Sequence, residues 1–244
     1  MNRIAPAILI LCMVIGASAA QPLTVKTDTI PAEKGPIELT TIRHASFMLV
    51  YDGKVIHVDP AGPADYSGRP KADYVLITDV HPDHFDVRRI EMVKKEGTIV
   101  VGPTELAAKL PEMQGMANGD KKDLGFMQLE AVPAYNKVRG TPERGAYHPK
   151  GRGNGYVVTL GGKRIYISGD TECIPEMESL KNIDVAFVCM NLPYTMDVFE
   201  AAYCVAAFRP KIVYPYHHQG QMIYDFRSAL KPAKDIEVRL LLWY

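Results

Sequence analysis

The stretch Tyr74-Val75-Leu76-Ile77-Thr78-Asp79-Val80-His81-Pro82-Asp83-His84 decides how this chain is read. Its apolar start is what a strand buried on both faces requires. The polar end packs four potential metal ligands into six residues. In an extended loop, residues two apart share a side, so Asp79, His81 and Asp83 are expected to converge on one locus while His84 turns away. Such a loop can serve two neighbouring cations, and Pro82 stiffens it. The plain alternative is a solvated acidic turn.

Two other strand ends offer what that loop lacks. Gly169-Asp170-Thr171 follows an apolar strand at 164–168, placing a carboxylate on a turn that glycine permits. Tyr214-Pro215-Tyr216-His217-His218 follows a strand at 211–214 and brings an imidazole. Ligands scattered over the ends of several strands are how α/β folds assemble active sites.

Around these points the pattern is α/β. Strands are predicted at 37–42, 46–51 and 54–58, with Asp52-Gly53 as a two-residue hairpin turn. Strand and helix then alternate: a helix at 87–95, a strand at 98–101, a helix at 104–110. Residues 113–125 are polar and without period, and read as a surface connection. A second half repeats the layout, with strands at 128–133, 155–160 and 163–168 and Gly161-Gly162 as a hairpin turn. Helix 175–180, strand 184–189, helix 198–208 and strands 211–214 and 237–242 complete it. Each half opens with antiparallel strands and ends in alternation, so two packed sheets with helices outside are expected.

Composition bounds the function. The 244 residues are 47% apolar and 23% charged, with 28 basic against 28 acidic side chains. That balance disfavours a nucleic-acid binder, and the apolar content disfavours disorder. The long apolar run lies at the extreme N-terminus, which excludes a multi-span membrane protein. Arg3, the apolar residues 4–16 and Ala17-Ser18-Ala19-Ala20 read as an export signal over residues 1–20, leaving a single domain at 21–244 in the periplasm or secreted. An uncleaved anchor is the alternative. The mature chain would keep Cys173, Cys189 and Cys204, so at least one thiol is expected free or buried.

Taken in order, Asp79-x-His81-x-Asp83-His84, Gly169-Asp170-Thr171 and Pro215-Tyr216-His217 resemble the metallo-β-lactamase superfamily of metal-dependent hydrolases. His44-Ala45-Ser46-Phe47, Ile174-Pro175-Glu176-Met177 and Tyr194-Thr195-Met196 look like the branch that includes L-ascorbate-6-phosphate lactonase and N-acyl-phosphatidylethanolamine phospholipase D. The resemblance implies an αββα sandwich of two mixed sheets flanked by helices, with the metals at the edge between the sheets. It implies two divalent ions, zinc first, with manganese or iron as alternatives. Carried over, His81 binds the first metal, Asp83 and His84 the second, Asp170 bridges and His217 completes the second site. Asp59 resembles the family's acid that orients the motif loop.

Two departures concern the first site. Asp79 stands where the family has His, and Pro133-Ala134-Tyr135-Asn136 lacks a His that commonly follows that strand end. His148, in a glycine-rich segment, is the substitute ligand; Asn136 is a weaker candidate, since an amide oxygen is a poor ligand. His44 belongs either to the metal pocket or to a packed strand end, and His57 to the structure. Lys150, Arg152 and Arg144 could receive an anionic substrate or form a solvated loop, and Tyr135, Tyr194 and Tyr216 could line the pocket. The expected chemistry is hydrolysis by metal-activated water, with Asp83 orienting the nucleophile, on a phosphodiester or phosphorylated small molecule. A lactone or amide substrate, a β-lactam among them, is the alternative. A redox di-iron role is disfavoured because relatives of that kind place Glu where His81 stands. A non-catalytic metal binder with a degenerate first site is the remaining reading.

Overall fold

The computed structural model describes residues 26–244, so the expected export signal lies outside the described residues. The first sheet takes its strands in chain order: β1 (Thr27–Ile30), β2 (Ile37–Arg43), β3 (Ser46–Tyr51), β4 (Lys54–Val58), β5 (Tyr74–Leu76), β6 (Ile99–Pro103) and β7 (Gln114–Met116). Its first four strands pair antiparallel and the remainder run parallel. The chain then enters β8 (Lys121–Asp123) and β9 (Gln128–Ala134), makes a small hairpin of β10 (Gly140–Thr141) and β11 (Gly145–Ala146), and continues through β12 (Gly153–Leu160), β13 (Lys163–Ile167), β14 (Val185–Cys189), β15 (Ile212–Tyr216) and β16 (Glu237–Val238). The second sheet has the order β16-β15-β14-β13-β12-β9-β8, antiparallel from β8 to β13 and parallel from β13 to β16. The two-sheet α/β architecture is therefore the one expected, with the same strand plan in each half.

The helices are α1 (Val87–Val93), α2 (Pro175–Glu178), α3 (Val198–Phe208) and α4 (Ile223–Ala229). Asp86 caps α1 through the Arg88 N–H. Asp197 and Glu200 close a reciprocal capping box on α3, which fixes its start at Val198. Both hairpin turns fall where expected, with positive φ at Asp52 and Gly53 and at Gly161 and Gly162. No helix among the described residues is long and apolar enough to cross a membrane.

The sheets meet through an aromatic core. Phe47 stacks on Phe187 at 4.4 Å between centroids, and Trp243 meets both Phe47 and Tyr216 edge-on. A second cluster, with Val75, Ile77, Ile90, Val93 and Leu106, packs α1 onto the first sheet. Cys173 and Cys204 form a disulfide that ties the segment after β13 to α3, and Cys189 is a buried free thiol.

Several elements differ from expectation. Residues 113–125 are more than a connection, because β7 and β8 extend one sheet each; three-residue strands carry no period to read. The segment expected as a helix at 104–110 is a single 3-10 turn, Thr104–Ala108. The last strand is paired only at Glu237–Val238, after which Leu241 and Trp243 drop into the core. The short strand β1 and the helix α4, which buries Ile223 and Phe226, had no predicted counterpart.

His57 lies within β4 and is fully buried, as its structural reading requires. Its Nε2–H donates to the Pro70 carbonyl at 3.1 Å, while Nδ1 has no hydrogen-bond partner among the described residues. Burial, the largest effect, pushes its pKa down to about 4. The folded form therefore resists a proton that the unfolded chain takes up below about pH 6.5. Stability is full above that pH and is lost as pH falls towards 4, with about 2 kcal/mol gone at pH 5 relative to pH 7. Urea unfolding of the wild type and His57→Gln at both pH values is expected to show a smaller loss for the variant.

Candidate metal centre

The site is built at the carboxyl ends of strands from both sheets. Asp59, following β4, adopts a left-handed backbone (φ 44°) that turns its buried carboxylate under the motif loop. One oxygen accepts the Thr78 N–H at 2.7 Å; the other accepts the Thr78 hydroxyl at 2.6 Å and His84 Nδ1–H at 2.9 Å. Burial works against charge on His84, but Asp170 and Asp59 outweigh it and raise its pKa well above the usual value; with Nδ1 engaged, Nε2 is the nitrogen turned to its other side, and a metal there would displace its proton. That nitrogen lies 3.1 Å from His217 Nε2 and 3.4 Å from Asp170 Oδ2. His217, at the end of β15, is also left-handed (φ 48°).

The loop itself is tighter than an extended run. The N–H groups of His84 and Phe85 both donate to the His81 carbonyl, closing a turn over Pro82. The alternation expected for Asp79, His81 and Asp83 is thereby broken. Asp79 and His81 gather with His148, Asp83 joins His44 and His217, and His84 joins Asp170 and His217. His84 thus faces the site, where extended geometry would have turned it away.

His148 lies buried at the second sheet's edge with Nε2 3.1 Å from Asp170 Oδ2. Asn136 fixes its tautomer. The Asn136 amide donates to Glu172 and to the Tyr194 carbonyl, so its Oδ1 is the acceptor for both His148 N–H and His148 Nδ1–H, each at 2.7 Å. Nε2 is then the nitrogen turned to the Asp170 carboxylate. Asn136, expected as a weak ligand candidate or a pocket residue, is instead the group that orients His148. Glu172, which sequence reading missed, holds that segment by accepting the N–H groups of Lys137, Val138 and Arg139.

His44 belongs to the pocket. It sits in the β2–β3 turn with φ 59°, and its ring lies 3.9 Å from that of His217. The Tyr244 hydroxyl accepts the Gln219 N–H and so donates to His44 Nδ1 at 2.8 Å, which leaves His44 Nε2–H to donate to Asp83 Oδ2 at 3.1 Å. No sequence signal pointed to Tyr244.

Electrostatics favour anions at the carboxylates. Burial works against charge on Asp83, but hydrogen bonds from His217 and His44 outweigh it and hold the carboxyl well below its usual range. Burial likewise opposes charge on Asp170, and His217 and His84 together reverse it. Asp170 Oδ1 is buried with no hydrogen-bond partner among the described residues. Imidazole nitrogens turned towards one another, anionic oxygens and an orphaned buried carboxylate oxygen form a donor set that fits divalent cations once the imidazole protons are displaced. Two positions suit it, one from Asp79, His81 and His148, the other from His84, Asp170 and His217 with Asp83 beside them.

The beta-lactamase superfamily domain matches residues 38–217. The chain belongs to that superfamily. Within it, a UPF0173 metal-dependent hydrolase of Nanoarchaeum equitans is 32% identical over 210 residues, covering 81% of this chain and 93% of the relative. One from Staphylococcus saprophyticus is 30% identical, covering 78% and 90%. A crystal structure from Parabacteroides distasonis superposes with a TM-score of 0.84 at 43% identity, over 89% of this chain and 99% of that one. This superfamily member is thus an enzyme of the metal-dependent hydrolase family UPF0173, with the metallo-β-lactamase fold.

A cleft of about 420 Å³ opens over the donor set, with Arg144, Tyr147, Tyr194, Asn191 and Gln219 in its walls beside His44, Asp83 and His148. Of the pocket residues expected from sequence, Tyr194 and His44 are there. Tyr216 is not, because it is wholly buried in the aromatic core. Tyr135 and Lys150 also lie outside the cleft walls. The Tyr135 hydroxyl bonds Glu176, Lys150 pairs with the same acid, and the ammonium lies 4.7 Å from the Tyr135 ring. Arg152 stands behind the cleft against His81. Asn136→Ala frees the His148 ring, and metal affinity measured by calorimetry is expected to fall about ten- to a hundredfold with the fold retained.

Proposed function

We propose that the enzyme hydrolyses a phosphodiester or a phosphorylated small molecule, using two divalent cations, zinc in the first instance. The observation that carries the substrate class is Arg144, placed on the β10–β11 hairpin at the wall of a cleft whose floor is the donor set. A guanidinium there meets a phosphate oxygen in a paired, bidentate geometry that a neutral lactone or amide does not offer. Tyr147 and Tyr194, edge to face at 5.2 Å, form an amphipathic wall for the organic part of the substrate. The likeness of His44-Ala45-Ser46-Phe47 and Tyr194-Thr195-Met196 to the lactonase and phospholipase D branch supports the same reading.

His84, Asp170 and His217 would hold one cation and Asp79, His81 and His148 the other, with Asp170 between His148 and His84. Bound divalent metal supplies Lewis acidity and a water acidic enough to act as nucleophile near neutral pH. Asp83 Oδ2, 3.1 Å from His44 Nε2 and 3.4 Å from His217 Nε2, would be the oxygen to orient an attacking water and accept its proton. His44, backed by Tyr244, keeps that carboxylate in place.

The test is turnover on a panel of phosphodiesters, lactones and a chromogenic β-lactam. Chelation is expected to abolish turnover and zinc to restore it. Asp83→Ala is expected to lose at least about a hundredfold in kcat/KM with an unchanged circular dichroism spectrum. Arg144→Ala is expected to raise KM about tenfold or more for phosphodiesters and leave lactones unaffected. A fully active Asp83→Ala would refute the mechanism, and equal losses on both substrate classes would refute the phosphate assignment.

Export belongs to the proposal too. It is supported by the signal-like pattern of residues 1–20 and by the Cys173–Cys204 disulfide, a bond that oxidising compartments maintain. Sequencing of protein from the periplasm or medium is expected to give an N-terminus near Gln21. A cytoplasmic chain retaining residues 1–20 would overturn it.

A further inference from the structure

The two metal positions are not equally free. Around His84 and His217 the chain brings only acceptors and imidazoles together. At Asp79 and His81 it also brings a cation of its own. Arg152 Nη2 lies 3.1 Å from His81 Nε2 and 3.8 Å from Asp79 Oδ1, and it donates to the Tyr147 carbonyl at 2.7 Å. The backbone keeps it there. Gly153, the first residue of β12, is pressed so closely on the motif loop that a Cβ would lie 3.0 Å from Asp79 Oδ2 and 3.2 Å from the Thr78 carbonyl. The Asn154 N–H donates to that same carbonyl.

A guanidinium has five donors, no acceptor, and keeps its charge. At 3.1 Å, His81 Nε2 must therefore be the accepting nitrogen. The neutral ring then carries its proton on Nδ1, which lies 3.2 Å from the carboxylate oxygen Asp79 Oδ1. A metal ion approaching His81 meets Arg152 by either route. At Nε2 the lone pair is already taken by the guanidinium. At Nδ1 the proton has to move to Nε2, where it would face another N–H. The guanidinium also offsets the negative charge of Asp79 and repels a second dication at that position.

We propose that Arg152 makes the two positions unequal: the protein loads one divalent cation tightly on His84, Asp170 and His217, and a second weakly on Asp79, His81 and His148 for as long as Arg152 is bonded to His81. The inference rests on the metal-hydrolase reading and specifies its stoichiometry. It also gives Arg152 a part in setting metal occupancy, where its sequence position suggested contact with substrate.

The test is zinc binding by the full chain after chelation, measured by equilibrium dialysis at fixed free zinc with elemental analysis, and needs no substrate. Wild type is expected to bind one tight equivalent and a second at least about tenfold weaker. In Arg152→Gln the carboxamide oxygen can accept from His81 Nε2–H, and the second equivalent is expected to tighten about tenfold or more while the first stays within about twofold. Arg152→Met, which removes the donor without supplying an acceptor, is expected to tighten it in the same direction and serves if the glutamine variant does not fold. Two equal equivalents in wild type, or a second equivalent weakened by either substitution, would overturn the inference. A wild type that binds no zinc at all would overturn the metal-hydrolase reading itself, so the two failures are distinguishable.

Discussion

Everything at the centre of this molecule depends on the Asp59 carboxylate. It is buried, it sits on a left-handed residue at the end of β4, and it accepts hydrogen bonds from the backbone and hydroxyl of Thr78 and from His84. Those bonds do two things together. They fix where the strand β5 releases the chain, and they decide which nitrogen of His84 faces the site. A buried carboxylate is costly unless its oxygens are satisfied, and here satisfying them is also what builds the site. His44 and His217 share the unfavourable backbone geometry, so three of the residues around one locus are held in conformations that only a rigid surrounding can maintain.

That surrounding is the pair of sheets. Each half of the chain runs an antiparallel meander into a parallel ladder, and parallel ladders release their loops at one edge. The edge of the first sheet supplies Asp59, Asp79, His81, Asp83 and His84; that of the second supplies His148, Asp170 and His217. The stacked rings of Phe47 and Phe187 keep the two edges in register. The disulfide to α3 restrains the segment that carries Asp170.

Much of this was legible in the sequence where a signal is local. Buried strands such as β14 show as unbroken apolar runs, the glycine-bearing hairpin turns declare themselves, and α3 spans the 198–208 expected of it. The pieces that stayed hidden are those whose pairing is decided at a distance. β7 and β8 are three residues long with one apolar side chain between them, Met116, and they are strands only because a sheet edge lies beside them. At the site, residue identities were readable but directions were not. Alternation assumed an extended loop, whereas the His81 carbonyl folds it into a turn. Asn136 was readable only as a poor ligand, its amide oxygen being a weak donor, because the ring it orients, His148, lies across the β10–β11 hairpin, and Tyr216 looked like a pocket residue because strand ends do not announce which face is core. Tyr244 reaches His44 from the far end of the chain, a contact no motif encodes.

The split origin of the donor set has a consequence for the fold itself. His84 belongs to the first half, and Asp170 and His217 to the second, so an ion shared by them would be a cross-link between sheets. Binding to the native arrangement alone stabilises it by mass action, and the stabilisation grows with the logarithm of free metal. The enzyme's resistance to heat and proteolysis would then track the metal supply of its compartment. The empty protein would lack that cross-link and rely on the aromatic core to hold its two sheets together.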